Sequence, residues 1–60
     1  MLFKVEDTWD THYVGADSLQ RALLKVEEFN AKQIADADFE IDEESRPVVI
    51  FIELVSDEML

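Results

Sequence analysis

A chain of 60 residues without a single cysteine has to be held together by packing alone or by a partner. At this length folding removes only about 60 % of the surface that the unfolded chain exposes, so the core has little to spare. Disulfides and thiolate metal sites are excluded by composition. The one histidine, His12, makes a zinc site only if several carboxylates converge on it. The expectation is a single domain over residues 1–60 with a compact core, self-association or a partner as the source of extra stability.

Hydrophobic periodicity supplies the elements. Phe3 and Val5 alternate with Lys4 and Glu6, which predicts a strand over Met1 to Glu6. Asp7-Thr8-Trp9-Asp10 provides turn formers, and Thr11 to Ala16 returns as a second strand of a hairpin. Asp17-Ser18 marks a helix start. Asp17 is placed to cap it with Gln20 three residues on, and Ser18 serves equally well. Leu19, Ala22, Leu23, Val26 and Phe29 form one apolar stripe, predicting a helix from Ser18 to Asn30; Ala31-Lys32-Gln33-Ile34 offers a further turn. Leu24 falls off the stripe and is expected in solvent.

Beyond the helix, Phe39 and Ile41 alternate with Asp38, Glu40 and Asp42, which reads as a third strand with the two apolar residues anchored in the core. Glu43 to Arg46 makes a turn, and Pro47 opens a last strand where its missing N–H is tolerated. Val48 to Val55 is β-branched and apolar on both faces, as a central strand would be. Ser56 to Leu60 is a short tail. The fold class is therefore α+β: a small two-layer ββαββ sandwich with one helix on a three- or four-stranded, mainly antiparallel sheet. One face of that sheet has no helix to cover it. Its doubly apolar last strand motivates a homodimer with Val48 to Val55, and Leu24, near the contact.

Charge is the extreme property of the chain. Fifteen Asp and Glu against five Lys and Arg give a formal net charge of −10. Such a protein is repelled by nucleic acid and anionic membranes and attracted to basic surfaces, many of which exist to hold nucleic acid. Met1-Leu2-Phe3-Lys4 leads into Glu6 and Asp7 instead of an apolar run, so neither a secretory leader nor a membrane span is expected, and the expected location is the cytoplasm.

The acids concentrate between Asp36 and Glu44, where Asp36, Asp38, Glu40, Asp42, Glu43 and Glu44 fill six of nine positions. In a strand, Asp36, Asp38, Glu40 and Asp42 would form a row spaced roughly 6.6 Å apart. A rigid row of carboxylates imitates a phosphate backbone, although one DNA strand carries a charge every ~3.4 Å. The plain alternative is a solvated strand face that only keeps the protein soluble. Asp36, Asp38 and Glu40 also match the first ligand positions of an EF-hand loop, but Ile41 stands where glycine is needed and Pro47 where a bidentate Glu belongs, so no metal is expected.

For catalysis the inventory is thin. His12 has Asp10 nearby as a partner, but no cysteine is present, Ser18, Ser45 and Ser56 fall in cap, turn and tail, and so short a chain has little room for a substrate pocket. No enzyme activity and no cofactor are expected. Trp9 in the first turn and Leu24 off the helix stripe are candidate contact residues, with Trp9 equally suited to folding back as core.

The stretch Tyr13-Val14-Gly15-Ala16-Asp17-Ser18-Leu19-Gln20-Arg21-Ala22-Leu23 resembles the strand-to-helix passage of small phage inhibitors of host RNA polymerase. Small acidic anti-CRISPR and anti-restriction proteins are similar in size and charge. Those groups imply binding to a host nucleic-acid enzyme, often as a nucleic-acid mimic, in the cytoplasm of the host cell. The resulting expectation is an inhibitor that docks Asp36, Asp38, Glu40, Asp42, Glu43, Glu44, Trp9 and Leu24 on the basic surface of a nucleic-acid-binding protein. The alternatives are a homo-oligomeric module whose acidity serves solubility and an antitoxin-like partner of a basic protein.

Overall fold

The alternation of the first fifteen residues becomes a hairpin in the computed structural model, which describes residues 1–58. Strand β1 runs over Leu2–Asp7 and β2 over Thr11–Gly15, antiparallel, with Phe3 opposite Val14 and Val5 opposite His12. Residues Phe3, Val5 and Asp7 point to one side of β1 and are buried. Tight hairpin loops commonly use a residue with positive φ, yet no described residue, those of the Thr8-Trp9-Asp10 loop included, has one. Here the Asp7 side chain supplies what the loop backbone does not, as described below.

Ser18 begins the helix: its hydroxyl accepts from the Arg21 N–H at 3.2 Å, so Ser18, not Asp17, is the cap. Helix α1 covers Leu19–Asp36 and does not stop at Asn30. Ala31, Lys32, Gln33 and Ala35 are good helix formers, and the Asn30 side chain is engaged elsewhere in the core, so nothing ends the helix there. The buried line along α1 is Ala22, Val26 and Asn30, at a spacing of four. Leu19 and Phe29 belong to the sequence stripe but lie at its edges, 44 % and 51 % exposed.

The third strand expected over Asp36 to Asp42 is absent. Asp36 is the last helical residue, the Ala37 N–H closes the end on the Ile34 carbonyl at 3.3 Å, and a 3-10 turn follows at Glu43–Ser45. Phe39, expected in the core, is 73 % exposed; Ile41 is half-buried. Alternation alone does not make a strand where the intervening residues are Asp and Glu, which are poor strand formers, and where no neighbouring strand takes up the backbone. The element order is thus ββαβ, with β3 over Val49–Ser56, rather than ββαββ. The fold is α+β, one helix and a three-stranded antiparallel sheet in the order β2-β1-β3. Of the tail expected beyond Ser56, Met59 and Leu60 lie outside the described residues.

A second correction concerns β3, which is an edge strand; β1 is the centre. Val48 to Val55 is apolar on both faces without being buried on both: Val49 and Ile52 pack against the core, while Val48, Ile50, Phe51, Leu54 and Val55 are exposed. The core is small: Phe3, Val5, Ala22 and Val26, with Met1, Val14, Ala16, Val49 and Ile52 packed around it. Removing two methyl groups from fully enclosed Val26 should therefore cost about 2 kcal/mol in Val26→Ala. Leu19→Ala should cost less than about 1 kcal/mol. Urea unfolding followed by Trp9 fluorescence measures both.

Candidate functional site

Asp7 stands at the end of β1 on its buried face, where the strand period alone would place an apolar residue. Its Oδ1 accepts from the backbone N–H of Trp9 at 2.8 Å and of Asp10 at 2.7 Å, which closes the hairpin loop. Its Oδ2 accepts from His12 Nε2 at 2.8 Å and from Asn30 Nδ2 at 2.9 Å. Because an ionised carboxylate only accepts, His12 carries its proton on Nε2 in this arrangement. One carboxylate thus fixes the turn, β2 and the middle of α1 at once. Both Asp7 and Asn30 are buried, and no buried side-chain polar atom lacks a hydrogen-bond partner among the described residues. His12 pairs with Asp7, not with the Asp10 suggested by sequence proximity; its ring meets Phe29 edge-on at 5.6 Å.

Burial on its own raises the Asp7 pKa, but the hydrogen bonds from Asn30, the Asp10 backbone, His12 and the Trp9 backbone outweigh it and bring it from 3.8 down to about 2. The signal for this cluster was present in the sequence. Asn30 continues the Ala22–Val26 line, and a polar residue on a buried stripe demands a polar partner.

The outer side of the same turn clasps the acidic segment. Trp9 Nε1 donates to the Ser45 carbonyl at 2.7 Å, the Thr8 N–H donates to the Val48 carbonyl at 3.1 Å, and the Val48 N–H donates to Thr8 Oγ1 at 3.1 Å. Trp9 does not fold back as core: its ring is 42 % exposed, while its indole N–H is tied down. The structure brings Trp9 to the 3-10 turn that carries Glu43 and Glu44. Leu24 lies exposed on α1, as expected.

Asp36, Asp38, Glu40, Asp42, Glu43 and Glu44 are all exposed. They do not form the evenly spaced row expected of a strand, because they sit on a helix end, an irregular loop and a 3-10 turn. Among the described residues no lysine or arginine forms an ion pair with any of them. Phe39 stands exposed in their midst.

Between α1 and β3 lies a groove of about 500 Å³, lined by apolar Leu23, Ile34, Pro47, Val49 and Ile52 with Glu27, Asn30 and Arg46. No group of three or more His, Cys, Asp or Glu among the described residues is arranged to hold a metal ion, and no described helix is long and apolar enough to cross a membrane. No protein-family model, curated protein or solved structure matches the chain.

The Asp7 cluster sets an acid limit on stability. A folded-state pKa of about 2 against 3.8 when unfolded contributes stability that is fully present above 3.8 and is lost as pH falls through about 2. The term is worth about 2 kcal/mol. Asp7→Asn, which turns an acceptor into a donor facing His12 and Asn30, should be less stable than the native chain at pH 7 by roughly 2–3 kcal/mol. Urea titrations across the acid range should show that gap narrowing as Asp7 becomes protonated.

Proposed function

We propose that this chain is a binding protein that docks its acidic segment on the basic, nucleic-acid-binding surface of another protein and inhibits or regulates it. The observation that carries this reading is the set of six exposed carboxylates between Asp36 and Glu44, none neutralised by a lysine or arginine among the described residues. Solubility alone calls for a net charge of about 2–8 on a small domain, and this chain carries −10. The reading rests on charge density and not on the phosphate-like spacing of a strand, since the segment is irregular. Long-range attraction needs no fixed spacing. Exposed Phe39 adds the short-range half of an interface: an aromatic ring surrounded by charge is the usual form of a contact anchor. The clasp of Trp9 on Ser45 and of Thr8 on Val48 tethers the far end of the segment to the fold, which lowers the entropy lost on docking.

A specific observation also favours self-association, namely the exposed apolar edge of β3.

Affinity capture from a nuclease-treated lysate tests the docking reading when run with two variants. The native chain should retain nucleic-acid-binding proteins that are displaced by added duplex DNA or RNA. Retention should fall between ~0.01 M and ~0.15 M salt, where screening of exposed charges shortens to about 8 Å. Asp38→Asn, Glu40→Gln and Asp42→Asn together should slow association with the captured protein and flatten its salt dependence. Phe39→Ala should instead quicken dissociation, by roughly tenfold for a contact worth about 1.4 kcal/mol. Equal affinity and salt slope in a folded triple variant would show the segment to be solvated surface only.

A further inference from the structure

We propose that the outer edge of β3 binds the β3 edge of a second copy of this chain, joining two three-stranded sheets into one of six strands in the order β2-β1-β3-β3-β1-β2. This specifies the self-associating surface and stands whether or not the acidic segment docks on another protein.

The backbone points to a strand as the occupant. β3 is eight residues long and is paired only with β1 among the described residues, so its other edge presents a line of free N–H and C=O groups. Proteins ordinarily blunt such an edge with lysine, proline or inward-pointing charge. Here the edge carries exposed Ile50, Phe51, Leu54 and Val55, with Ile50 at 62 %. Glu53 is the one charged residue of the strand, and Lys4 stands directly opposite it on β1. The two irregularities in β1–β3 pairing fall towards the ends, leaving Phe51 to Leu54 in regular register and fit to accept another strand.

Charge distribution selects the second copy over a basic partner. Within β3 a basic strand meets a single carboxylate, Glu53, already faced by Lys4, with Asp57 and Glu58 only beyond the strand's end, whereas six of the exposed acids lie between Asp36 and Glu44. A second β3 brings the same apolar, nearly neutral edge, and antiparallel pairing makes it self-complementary. With the twofold axis at Ile52, Glu53 faces Phe51 of the second copy and Ile50 faces Leu54. An axis at Glu53 would set two carboxylates face to face at about 5 Å, which repulsion disfavours. Such a contact is isologous and closes at two copies.

Two chains of net charge −10 repel at long range, so this association strengthens as salt rises, opposite in sign to acidic docking. Sedimentation equilibrium from micromolar to near-millimolar protein, at low and at moderate salt, reads it directly. The expected result is a species of twice the 7.0 kDa chain mass, more populated at the higher salt. Hydrogen exchange at increasing concentration should slow alternate amides of Phe51 to Leu54. Ile50→Lys, which enters the contact twice, should weaken dimerisation by roughly tenfold or more while leaving the fold intact by circular dichroism.

A 7.0 kDa species at every concentration and salt overturns the proposal, leaving the edge free for a strand from a different protein. So does a dimer whose β3 amides exchange as fast as in the monomer, an open-ended polymer, or a folded Ile50→Lys variant that still dimerises fully. Should that variant not fold, the concentration dependence of native exchange decides alone.

Discussion

The fold depends on keeping one carboxylate charged inside it. Asp7 occupies a position on the buried face of β1 that strand periodicity would give to an aliphatic side chain. Withdrawing a carboxylate from water costs several kcal/mol, and it persists only when hydrogen bonds replace the lost hydration. Asp7 has four donors, two from the turn backbone, one from His12 and one from Asn30. Removing a single donor leaves the charge short of a partner, so the turn, β2 and α1 are held to one relative placement. A core of four buried apolar residues leaves much of that specification to be made elsewhere.

The same turn organises the surface. Its inner side holds α1 through Asn30, and its outer side holds the segment after α1 through Trp9 and Thr8. The acidic stretch is thereby anchored at its far end while its carboxylates stay in water. Acids crowd the segment after the helix, with Phe39 exposed among them, and exposed aliphatic and aromatic residues crowd β3. Screening would act with opposite sign on the two proposed contacts, weakening docking on a basic partner and easing the repulsion between two copies.

The local elements were legible in the sequence to the extent that neighbours along the chain decide them. Alternation placed Phe3 and Val5 on the buried side of β1, the turn formers fell at the hairpin, and Asp17-Ser18 marked the helix start within one residue. The same rule failed between Asp36 and Asp42, where alternation met residues that disfavour strands and no strand stood alongside. It also misread Asn30 as a helix stop. A polar residue ends a helix when its side chain competes for backbone groups, and here that side chain was committed to Asp7, distant in sequence.

What the sequence determined by itself is the first hairpin, the start of the helix, the net charge and the crowding of acids between Asp36 and Glu44, because these depend only on composition and on residues a few positions apart. Tertiary structure alone decided that β1 and not β3 is the central strand, that Asp7 pairs with His12 and Asn30, and that the acids lie on a loop. Each of those outcomes turns on contacts between residues far apart in the chain. An apolar strand reads identically in sequence whether neighbours bury it or leave it at an open edge.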